Sequence, residues 1–327
     1  PRVVAIKMTL YRVGPNSPIV AALREAREKG IQVSALIELK ARFDEANNIE
    51  WAQAFVEAGV QVVYGLMGLM VHTKLALIVR REDEGMRRYV HLGTGNYNPV
   101  TAKIYTDLAF LSSDPDLGAD VSDLFHSLTG YSAKTDYAKI LVSPHSMRKA
   151  FLARIDREIK EHKKNGGGHL LFKMNSLVDK ACIKKLYKAS QAGVKVDLIV
   201  RGICCLKPGV DRVSENIQVT SIVGRFLEHA RAYYFRNGGD EEILMGSADL
   251  MPRNLNGRVE LLFPVEDQRL KEAIRDDLLL EQLRDNARSR RLLPDGTYER
   301  LAPAEGEKRI DTMERRLAKR GSWHIEE

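Results

Sequence analysis

Cysteine is scarce in this sequence of 327 residues, and long hydrophobic runs are missing from it. The three cysteines, Cys182, Cys204 and Cys205, are too few and too irregularly spaced to build a disulfide scaffold. We expect reduced thiols in a reducing cytoplasm, with Cys204 and Cys205 forming a buried pair. The longest apolar candidate, residues 60–71, is interrupted by two glycines and is too short to span a bilayer.

Positive charge is in modest excess. Lysine and arginine outnumber aspartate and glutamate by 51 to 44, which leaves a formal net charge of +7. A basic surface suits polyanions such as nucleic acid, anionic lipid or polyphosphate, although a solvated surface with a slight Lys/Arg excess explains the same number. With 44% hydrophobic residues the chain has enough apolar side chains for sizeable cores. Its length suits two domains of about 150 residues each.

Strand and helix patterns alternate along the first part of the chain. The predicted strands are Val3–Met8, Val33–Leu39 and Val60–Tyr64, and the predicted helices are Ser17–Lys29 and Ile49–Ala58. This alternation is typical of an α/β fold whose sheet is largely buried. Because the chain begins at Pro1 inside a predicted strand and without an initiator methionine, we expect a fragment whose N-terminal part is missing.

The same order recurs later in the chain. The corresponding elements are Leu170–Met174, Val178–Gln191 and Val196–Arg201. Aligning Gly30 with Gly193, an offset of 163 residues (193 − 30), matches the apolar pattern of GIQVSALIEL with that of GVKVDLIVRG. We therefore predict a domain at 1–137, a homologous domain at 138–302, and a charged tail at 303–327 that is a frayed helix or flexible.

Each half contains a histidine followed two residues later by a cation. His72 and Lys74 lead into an apolar strand in the first half, and His229 and Arg231 do so in the second. Because residues two apart on a strand face the same side, each motif is predicted to place an imidazole beside a cation. A nucleophile next to a permanent positive charge is the arrangement needed for attack on a phosphate.

Two further elements follow each histidine in the same order. A Gly-Ser/Thr-x-Asn/Asp sequence ends at Asn96 and at Asp249, where small residues allow close backbone approach and polar groups can position a phosphate. An acid follows eleven residues later, at Asp107 (107 − 96) and Glu260 (260 − 249). It would accept a hydrogen bond from one imidazole nitrogen so that the other can react. Each element alone is more often structural, and their repetition in one order indicates a catalytic site.

This doubled motif resembles that of the phospholipase D superfamily. The resemblance implies an α/β fold of two homologous phospholipase-D-like α/β/α domains with mixed sheets and an active site between them. The superfamily motif also has an aspartate seven residues after each histidine, where this sequence has Val79 and Arg236. The departure argues against simple phospholipase or nuclease activity.

Longer segments resemble the C-terminal catalytic half of bacterial polyphosphate kinase. They are LYRV (10–13), ELKARFDEANNIEWA (38–52), HTKLALI (72–78), HLGTGNYNPVTAKIYTDLAFL (91–111), NSLVDKACIKKLYKAS (175–190), LIVRGICCL (198–206), IVGRFLEHARAYYF (222–235) and SADLMPRNLNGRVELLFP (247–264). The resemblance implies an ATP:polyphosphate phosphotransferase that reversibly transfers the γ-phosphate of ATP to inorganic polyphosphate through a phosphohistidine. In that family two further domains precede this region.

The resemblance also implies roles for single residues. His72 is the nucleophile and His229 a general acid or base. The predicted catalytic residues are His72, His229, Lys74, Arg231, Asp107 and Glu260. The predicted nucleotide- and phosphate-binding residues are Tyr105, Arg201, His229, Asn96 and Asp249. Arg12 and Arg42 are associated with a Mg²⁺–phosphate site, and because arginine has no lone pair for a metal, we interpret them as phosphate clamps beside Mg²⁺.

The expected ligands are ATP or ADP, inorganic polyphosphate and Mg²⁺, with no specific nucleic acid. The resemblance implies a cytoplasmic enzyme that forms a homo-oligomer at full length and contacts the inner face of the membrane peripherally. Two alternatives remain open at this point. One is a phosphodiesterase of the phospholipase D superfamily that acts on lipid or nucleic acid, and the other is a non-catalytic module that binds polyanions.

Overall fold

The computed structural model describes residues 2–41, 45–132 and 134–319. Its strands are β1 (Val3–Leu10), β2 (Gln32–Ile37), β3 (Gln61–Tyr64), β4 (Met70–Val71), β5 (Leu75–Glu82), β6 (Gly85–Gly93), β7 (Tyr105–Thr106), β8 (Ala109–Ser112), β9 (Leu141–Ser143), β10 (His169–Met174), β11 (Lys195–Val200), β12 (Ile217–Ile222), β13 (Leu227–Glu228), β14 (Ala232–Phe235), β15 (Glu242–Gly246), β16 (Arg258–Pro264), β17 (Ser289–Leu292) and β18 (Tyr298–Arg300). Its α-helices are α1 (Pro18–Glu28), α2 (Glu45–Glu57), α3 (Pro115–Leu128), α4 (Met147–Asn165), α5 (Lys180–Gln191), α6 (Pro252–Asn256), α7 (Gln268–Ala273), α8 (Glu281–Leu283) and α9 (Thr312–Ala318). A π-helical stretch, Ile274–Leu280, joins α7 to α8.

The chain divides into two compact units. The first consists of Pro1–Arg148, Gly246–Ala248 and Arg253–Phe263, and the second consists of Lys149–Met245, Asp249–Pro252 and Pro264–Glu327. Residues 246–263 lie late in the sequence, yet 246–248 and 253–263 belong to the first unit and only 249–252 belong to the second. The domain limits drawn from the repeat, at 137/138 and 302/303, stay predictions.

A six-stranded mixed sheet forms the first unit, in the order β3–β2–β1–β5–β6–β8. Strands β1, β2 and β3 are parallel and are connected through α1 and α2, whereas β5, β6 and β8 continue the sheet in antiparallel fashion. A smaller group of strands carries part of the site: β16 pairs in parallel with β4 and antiparallel with β9.

Helix α1 shows how the local sequence builds this unit. Pro18 occupies the first helical turn, and Val20 and Leu23, three residues apart, turn the apolar face to the core. Gly30 follows the helix with φ of 84°, a conformation that glycine adopts without strain, so the chain can turn directly into β2. The prediction of this helix is confirmed, while α2 begins at Glu45, four residues before the predicted start (49 − 45).

The second unit repeats the arrangement with different neighbours. Its strands follow the order β18–β17–β12–β11–β10–β14–β15. Strand β10 is parallel to β11 and antiparallel to β14, just as β1 is parallel to β2 and antiparallel to β5 in the first unit. The predicted repeat and the mixed α/β class are therefore confirmed by the topology.

Aromatic side chains fill the core of the second unit. The ring centroids of Phe151 and Tyr233 lie 5.0 Å apart, and those of Phe172 and Phe235 lie 5.1 Å apart. All four side chains are fully buried. Each such pair adds about 0.5–1.5 kcal/mol beyond the area it removes from water. Strands β10 and β14 are thereby held firmly where they lead into the functional segments.

Two expectations are corrected by the fold. The segment from residue 303 was predicted to be a frayed helix or flexible; residues 312–318 form a helix, α9, but it is packed and buries Met313. Asp285 holds this helix by accepting hydrogen bonds from the backbone N–H and the hydroxyl of Thr312, each 2.9 Å long. Residues 320–327 lie outside the described residues. The thiol of Cys205 is exposed and Cys204 is half-buried, since both follow the end of β11 in a loop.

Among the described residues, no helix combines the length and apolar character required to cross a membrane.

Candidate active site

The first unit joins His72 directly to Glu260. The Nδ1 atom of His72 lies 2.9 Å from Oε2 of Glu260. The Glu260 side chain is 0% exposed and that of His72 is 10% exposed. Because a carboxylate can only accept, Nδ1 carries the proton and donates it, which leaves the lone pair of the neutral imidazole on Nε2. The acid that follows the second histidine in sequence thus orients the first histidine.

Glu260 is itself held by several donors. Oε2 also accepts from the hydroxyl of Ser247 at 2.5 Å, and Oε1 accepts from Nδ2 of Asn254 at 2.6 Å. The backbone N–H of Glu260 donates to Oγ of Ser143 at 3.1 Å. A buried carboxylate with this many donors has one fixed orientation. Ser143 and Asn254 were not recognised in the sequence, because a single buried serine or asparagine carries no pattern.

The hydroxyl residues of the two Gly-Ser/Thr motifs hold the two acids. Thr94 donates to Oδ1 of Asp107 at 2.6 Å and accepts from the N–H of Leu108, and Ser247 makes the equivalent bonds to Glu260 and to the N–H of Leu261. The sequence pattern predicted that these polar groups position a phosphate. In the structure the hydroxyls are occupied by the acid and the next backbone amide, so their immediate function is to position the carboxylate.

Glycine is required in both motifs by close approach of another group. A Cβ atom at Gly95 would lie 2.4 Å from Cγ of Asp107, and one at Gly246 would lie 1.9 Å from the carbonyl oxygen of Leu261. Neither distance is compatible with a side chain. The predicted reason for small residues, close backbone approach, therefore holds, although the approaching groups belong to the protein.

Tyr11 lies next to His72 and was not singled out in the sequence. Its ring meets the imidazole edge to face with centroids 4.8 Å apart. Nζ of Lys74 lies 5.0 Å and Cζ of Arg12 lies 5.2 Å from the centre of the same ring, within the range of cation–π attraction. Tyr11 directly follows β1, a parallel strand, and ligand sites in α/β sheets tend to lie beyond such strand ends. This strand-end rule is the signal in the sequence that could have identified Tyr11.

The histidine motifs lead into strands as predicted, and only the use of strand spacing within the motifs themselves needs correction. Strand β5 begins at Leu75 and β14 at Ala232, so both His-x-cation sequences precede their strands. The ammonium group of Lys74 donates to the carbonyl oxygen of His72. Arg231 likewise donates to the carbonyl oxygen of His229 at 2.8 Å, so each cation contacts the backbone of its own motif.

The second unit collects His229, Arg231 and Asp249. NH1 of Arg231 lies 3.1 Å from Nε2 of His229 and donates to its carbonyl oxygen at 2.8 Å. NH2 of Arg231 pairs with Oδ2 of Asp249 at 3.2 Å. Burial opposes ionisation of Asp249, but the charge of Arg231 outweighs this effect and the pKa of Asp249 lies below its usual value. Asp249 thus fixes Arg231 beside the imidazole.

Asn175 connects these groups to Arg201. Its Oδ1 accepts from Nε and NH2 of Arg201 at 2.9 and 2.8 Å, and its Nδ2 donates to the carbonyl oxygen of His229 at 3.1 Å. Its backbone N–H donates to Oδ1 of Asp249 at 2.7 Å. Asn175 directly follows β10, so the strand-end rule that identified Arg201 after β11 would also have identified it.

Three further predicted residues are Asn96, Tyr105 and Arg42. Asn96 has a buried Oδ1 atom that forms no hydrogen bond within the part of the chain that the structure describes. Tyr105 lies half-buried in β7. Arg42 lies outside the described residues. The roles assigned to all these residues stay predictions.

A resident magnesium ion does not fit the side chains. In residues 2–41, 45–132 and 134–319, no group of three or more His, Cys, Asp or Glu is arranged to hold a metal ion. Arg12, which was associated with the metal, has only N–H donors and stacks on Tyr11.

Comparison with known proteins gives consistent matches along the chain. Residues 1–134 match the family model of polyphosphate kinase C-terminal domain 1, and residues 140–313 match that of polyphosphate kinase C-terminal domain 2. A polyphosphate kinase of Prosthecochloris aestuarii is 60% identical over 301 residues, which are 92% of this chain and 42% of the relative. The chain thus spans less than half the length of this relative.

Comparison with solved structures agrees with these family matches. The polyphosphate kinase of Porphyromonas gingivalis superposes with a TM-score of 0.90 at 40% identity, over 98% of this chain and 49% of that chain. The phosphatidylserine synthase of Haemophilus influenzae superposes with a TM-score of 0.64 at 11% identity, over 97% of this chain and 88% of that one. The second match shows a shared fold alone, and it agrees with the mixed α/β architecture expected from the sequence.

Proposed function

Because the chain belongs to the polyphosphate kinase family, we propose that it carries the catalytic chemistry of reversible phosphoryl transfer between ATP and inorganic polyphosphate, with His72 as the phosphorylated residue. The buried contact between Nδ1 of His72 and Glu260 is the observation that carries this proposal. It holds the imidazole in the tautomer whose Nε2 atom can act as a nucleophile.

The reaction divides into two displacements at phosphorus. Nε2 of His72 attacks the γ-phosphorus, an N–P bond forms, and the bond from phosphorus to the β–γ bridging oxygen breaks, so that ADP leaves. The terminal oxygen of a polyphosphate chain then attacks the phosphohistidine, the N–P bond breaks, and the chain is longer by one unit. The Nδ1–H group stays hydrogen-bonded to Glu260, whose negative charge offsets the positive charge that the ring gains in the first step. Reversal of both steps makes ATP.

Cations near His72 suit the charge of the transferred group. Lys74 and Arg12 both lie over the Tyr11 ring, whose edge-to-face neighbour is the imidazole. Most of the rate enhancement in phosphoryl transfer comes from positioning and from such positive charge. We propose that Arg12, together with Arg42, binds phosphate oxygens, and that Mg²⁺ enters with ATP as part of the substrate, its ligands being phosphate oxygens and water.

His229 and its neighbours form the second set of groups. We propose that His229 acts as a general acid or base and that Arg201 and Tyr105 bind the nucleotide. The contacts that support this role are the guanidinium of Arg231 at 3.1 Å from Nε2 of His229 and the Asn175 bridge from Arg201 to the His229 backbone. Asp107, held by Thr94, and Asn96 are proposed to belong to the same chemistry.

The expectations about assembly and location are kept as proposals. A homo-oligomer of the full-length protein, a cytoplasmic location and peripheral contact with the inner face of the membrane follow from the family resemblance. The phosphodiesterase alternative lacks support at two positions: Val79 lies within β5 and Arg236 donates to the carbonyl oxygen of Gly167, and neither supplies the carboxylate of that chemistry.

Acid-labile labelling of the full-length protein tests the function. Incubation with MgATP labelled at the γ-phosphate should produce a label that is stable to alkali and lost in acid, attached to Nε2 of His72. His72→Ala should abolish it. Addition of ADP should return the label to ATP, which a phosphodiesterase intermediate formed from ATP would not do.

His91→Ala is the matched control. His91 is also a half-buried histidine of the first unit, but its Nδ1 pairs with the hydroxyl of Tyr97, and no carboxylate of the described residues pairs with it. The control should be labelled like the wild type. An unlabelled wild-type protein, or a label that persists in His72→Ala, would overturn the proposed function.

A further inference from the structure

A second buried charge pair lies directly behind His229. Nζ of Lys173 is 2.8 Å from Oε2 of Glu228, and both side chains are 2% exposed. Lys173 is the penultimate residue of β10, and Glu228 is the last residue of β13 and the residue before His229. The mechanism proposed above makes no use of this pair.

The pair acts on the same backbone as Asn175. Lys173 and Asn175 are two residues apart at the end of β10, so their side chains leave the same face. Lys173 binds the side chain of Glu228, and Asn175 binds the carbonyl oxygen of His229. Two consecutive residues of the histidine segment are thereby tied to one strand whose core side is packed with aromatic rings.

Two more residues complete the cluster, and one comes from the C-terminal helix. Nε2 of Gln282 donates to Oε2 of Glu228 at 2.7 Å. Arg316, in α9, donates to the carbonyl oxygen of Leu278, and its charge acts on Glu228. Burial disfavours the ionised form of Glu228, but Lys173 and Arg316 outweigh it and lower the pKa of Glu228 to about 2. The carboxylate is therefore charged at neutral pH.

Stability alone does not account for this cluster. Removing two charges from water is costly, and replacing a buried ion pair by well-packed apolar residues is often neutral or stabilising. An apolar pair would therefore serve the sheet equally well. A charged pair differs in that its hydrogen bonds allow one geometry, which matters only if a group attached to it must be placed accurately.

We propose that Lys173 and Glu228 are positioning residues that fix the backbone at His229, with Gln282 holding the Glu228 carboxylate. The proposal rests on the proposed function, since it needs His229 to take part in transfer.

The test uses the full-length protein and an apolar replacement of the three residues that are joined by hydrogen bonds. The triple variant Lys173→Met, Glu228→Leu, Gln282→Leu should fold with a thermal midpoint close to that of the wild type. Its kcat for polyphosphate synthesis should fall by about 10- to 100-fold, the usual cost of misplacing a catalytic group by about 1 Å, while KM for ATP changes little. Gln282→Leu alone should show a smaller loss of the same kind.

The matched control removes a hydrogen-bonded pair at the other end of the same strand. His169, the first residue of β10, pairs with Asp197 at 2.8 Å, and His169→Phe with Asp197→Leu should leave kcat unchanged. A folded triple variant with wild-type kcat, or an equal loss in the control, would overturn the proposal. If the triple variant does not fold, Gln282→Leu alone decides, and unchanged kcat there overturns it. A wild type that makes neither phosphohistidine nor polyphosphate would instead refute the proposed function.

Discussion

Replacement of Glu260 by glutamine is the sharpest test of the His72 site. The carboxylate accepts three side-chain hydrogen bonds, from His72 and Ser247 on Oε2 and from Asn254 on Oε1. A carboxamide can accept only on its oxygen. If its NH₂ group faces Asn254, two donors meet, and a buried unsatisfied donor costs about 1–3 kcal/mol.

The other orientation costs less and is the one we expect. The NH₂ group then faces His72 and Ser247, the Ser247 hydroxyl turns to accept, and the imidazole takes the tautomer with its proton on Nε2. The protein still folds, but the nucleophilic lone pair has moved to Nδ1. In buried carboxylate–histidine pairs of catalytic triads the corresponding change lowers turnover about 10⁴-fold. We therefore expect labelling of His72 to slow by about 10³- to 10⁴-fold, which corresponds to about 4–5.5 kcal/mol of activation free energy.

The assay is single-turnover labelling of the full-length protein from γ-labelled ATP, with thermal unfolding measured on the same samples. Glu82→Gln is the matched control, because Glu82 also accepts from a side-chain hydroxyl, that of Tyr89 at 2.8 Å, within the first unit. It should label at the wild-type rate. A folded Glu260→Gln protein that labels as fast as the control would show that the tautomer is not held by Glu260, and the reasoning would fail.

Two further predictions follow from packing and charge. Gly246→Ala should destabilise the protein by about 1–3 kcal/mol, because its Cβ would lie 1.9 Å from the Leu261 carbonyl oxygen. Gly257→Ala is the control: the nearest atom to its Cβ would lie 3.5 Å away, so the denaturant midpoint should change little. Equal midpoints for the two variants would contradict the prediction. The depressed pKa of Glu228, about 2 against 4.5, contributes stability that is present above pH 4.5 and is lost as the pH falls toward 2, on the order of 3 kcal/mol. Glu228→Gln should therefore flatten the acid side of the stability curve, and an unchanged acid slope would refute it.

Local patterns predicted most of the architecture. The i, i+3 spacing of Val20 and Leu23 and the stop at Gly30 identify α1 because helix periodicity and termination depend on neighbouring residues. The offset between Gly30 and Gly193 identifies the repeat for the same reason. The charged composition of the C-terminal segment did not indicate that α9 packs. Its packing depends on one buried apolar side chain, Met313, and on the hydrogen bond from Thr312 to Asp285, which lies 27 residues earlier.

The sequence predicted which residues belong to the candidate site, but it did not predict which of them pair with each other. Asp107 and Glu260 were each recognised as an acid that would orient an imidazole, from their equal distance to Asn96 and Asp249. Which imidazole Glu260 serves depends on where β16 lies, and β16 pairs with β4, directly before His72, and with β9. Strand pairing across 188 residues leaves no periodic trace in the sequence.

Glu260 follows the second histidine in the sequence but pairs with the first, and this pairing shows how the repeated motifs are divided. Each Gly-Ser/Thr motif holds the acid that follows it, Thr94 with Asp107 and Ser247 with Glu260, so motif and acid behave as one module within each half of the sequence. The histidine belongs to a different module, because His72 takes its acid from the late segment that also supplies Ser247 and Asn254. A first sequence domain ending near residue 137 would therefore contain His72 without the group that sets its tautomer. Glu260 reaches His72 because β16 pairs with β4, so the proposed phosphorylation of His72 would require both halves of the sequence although His72 lies in the first.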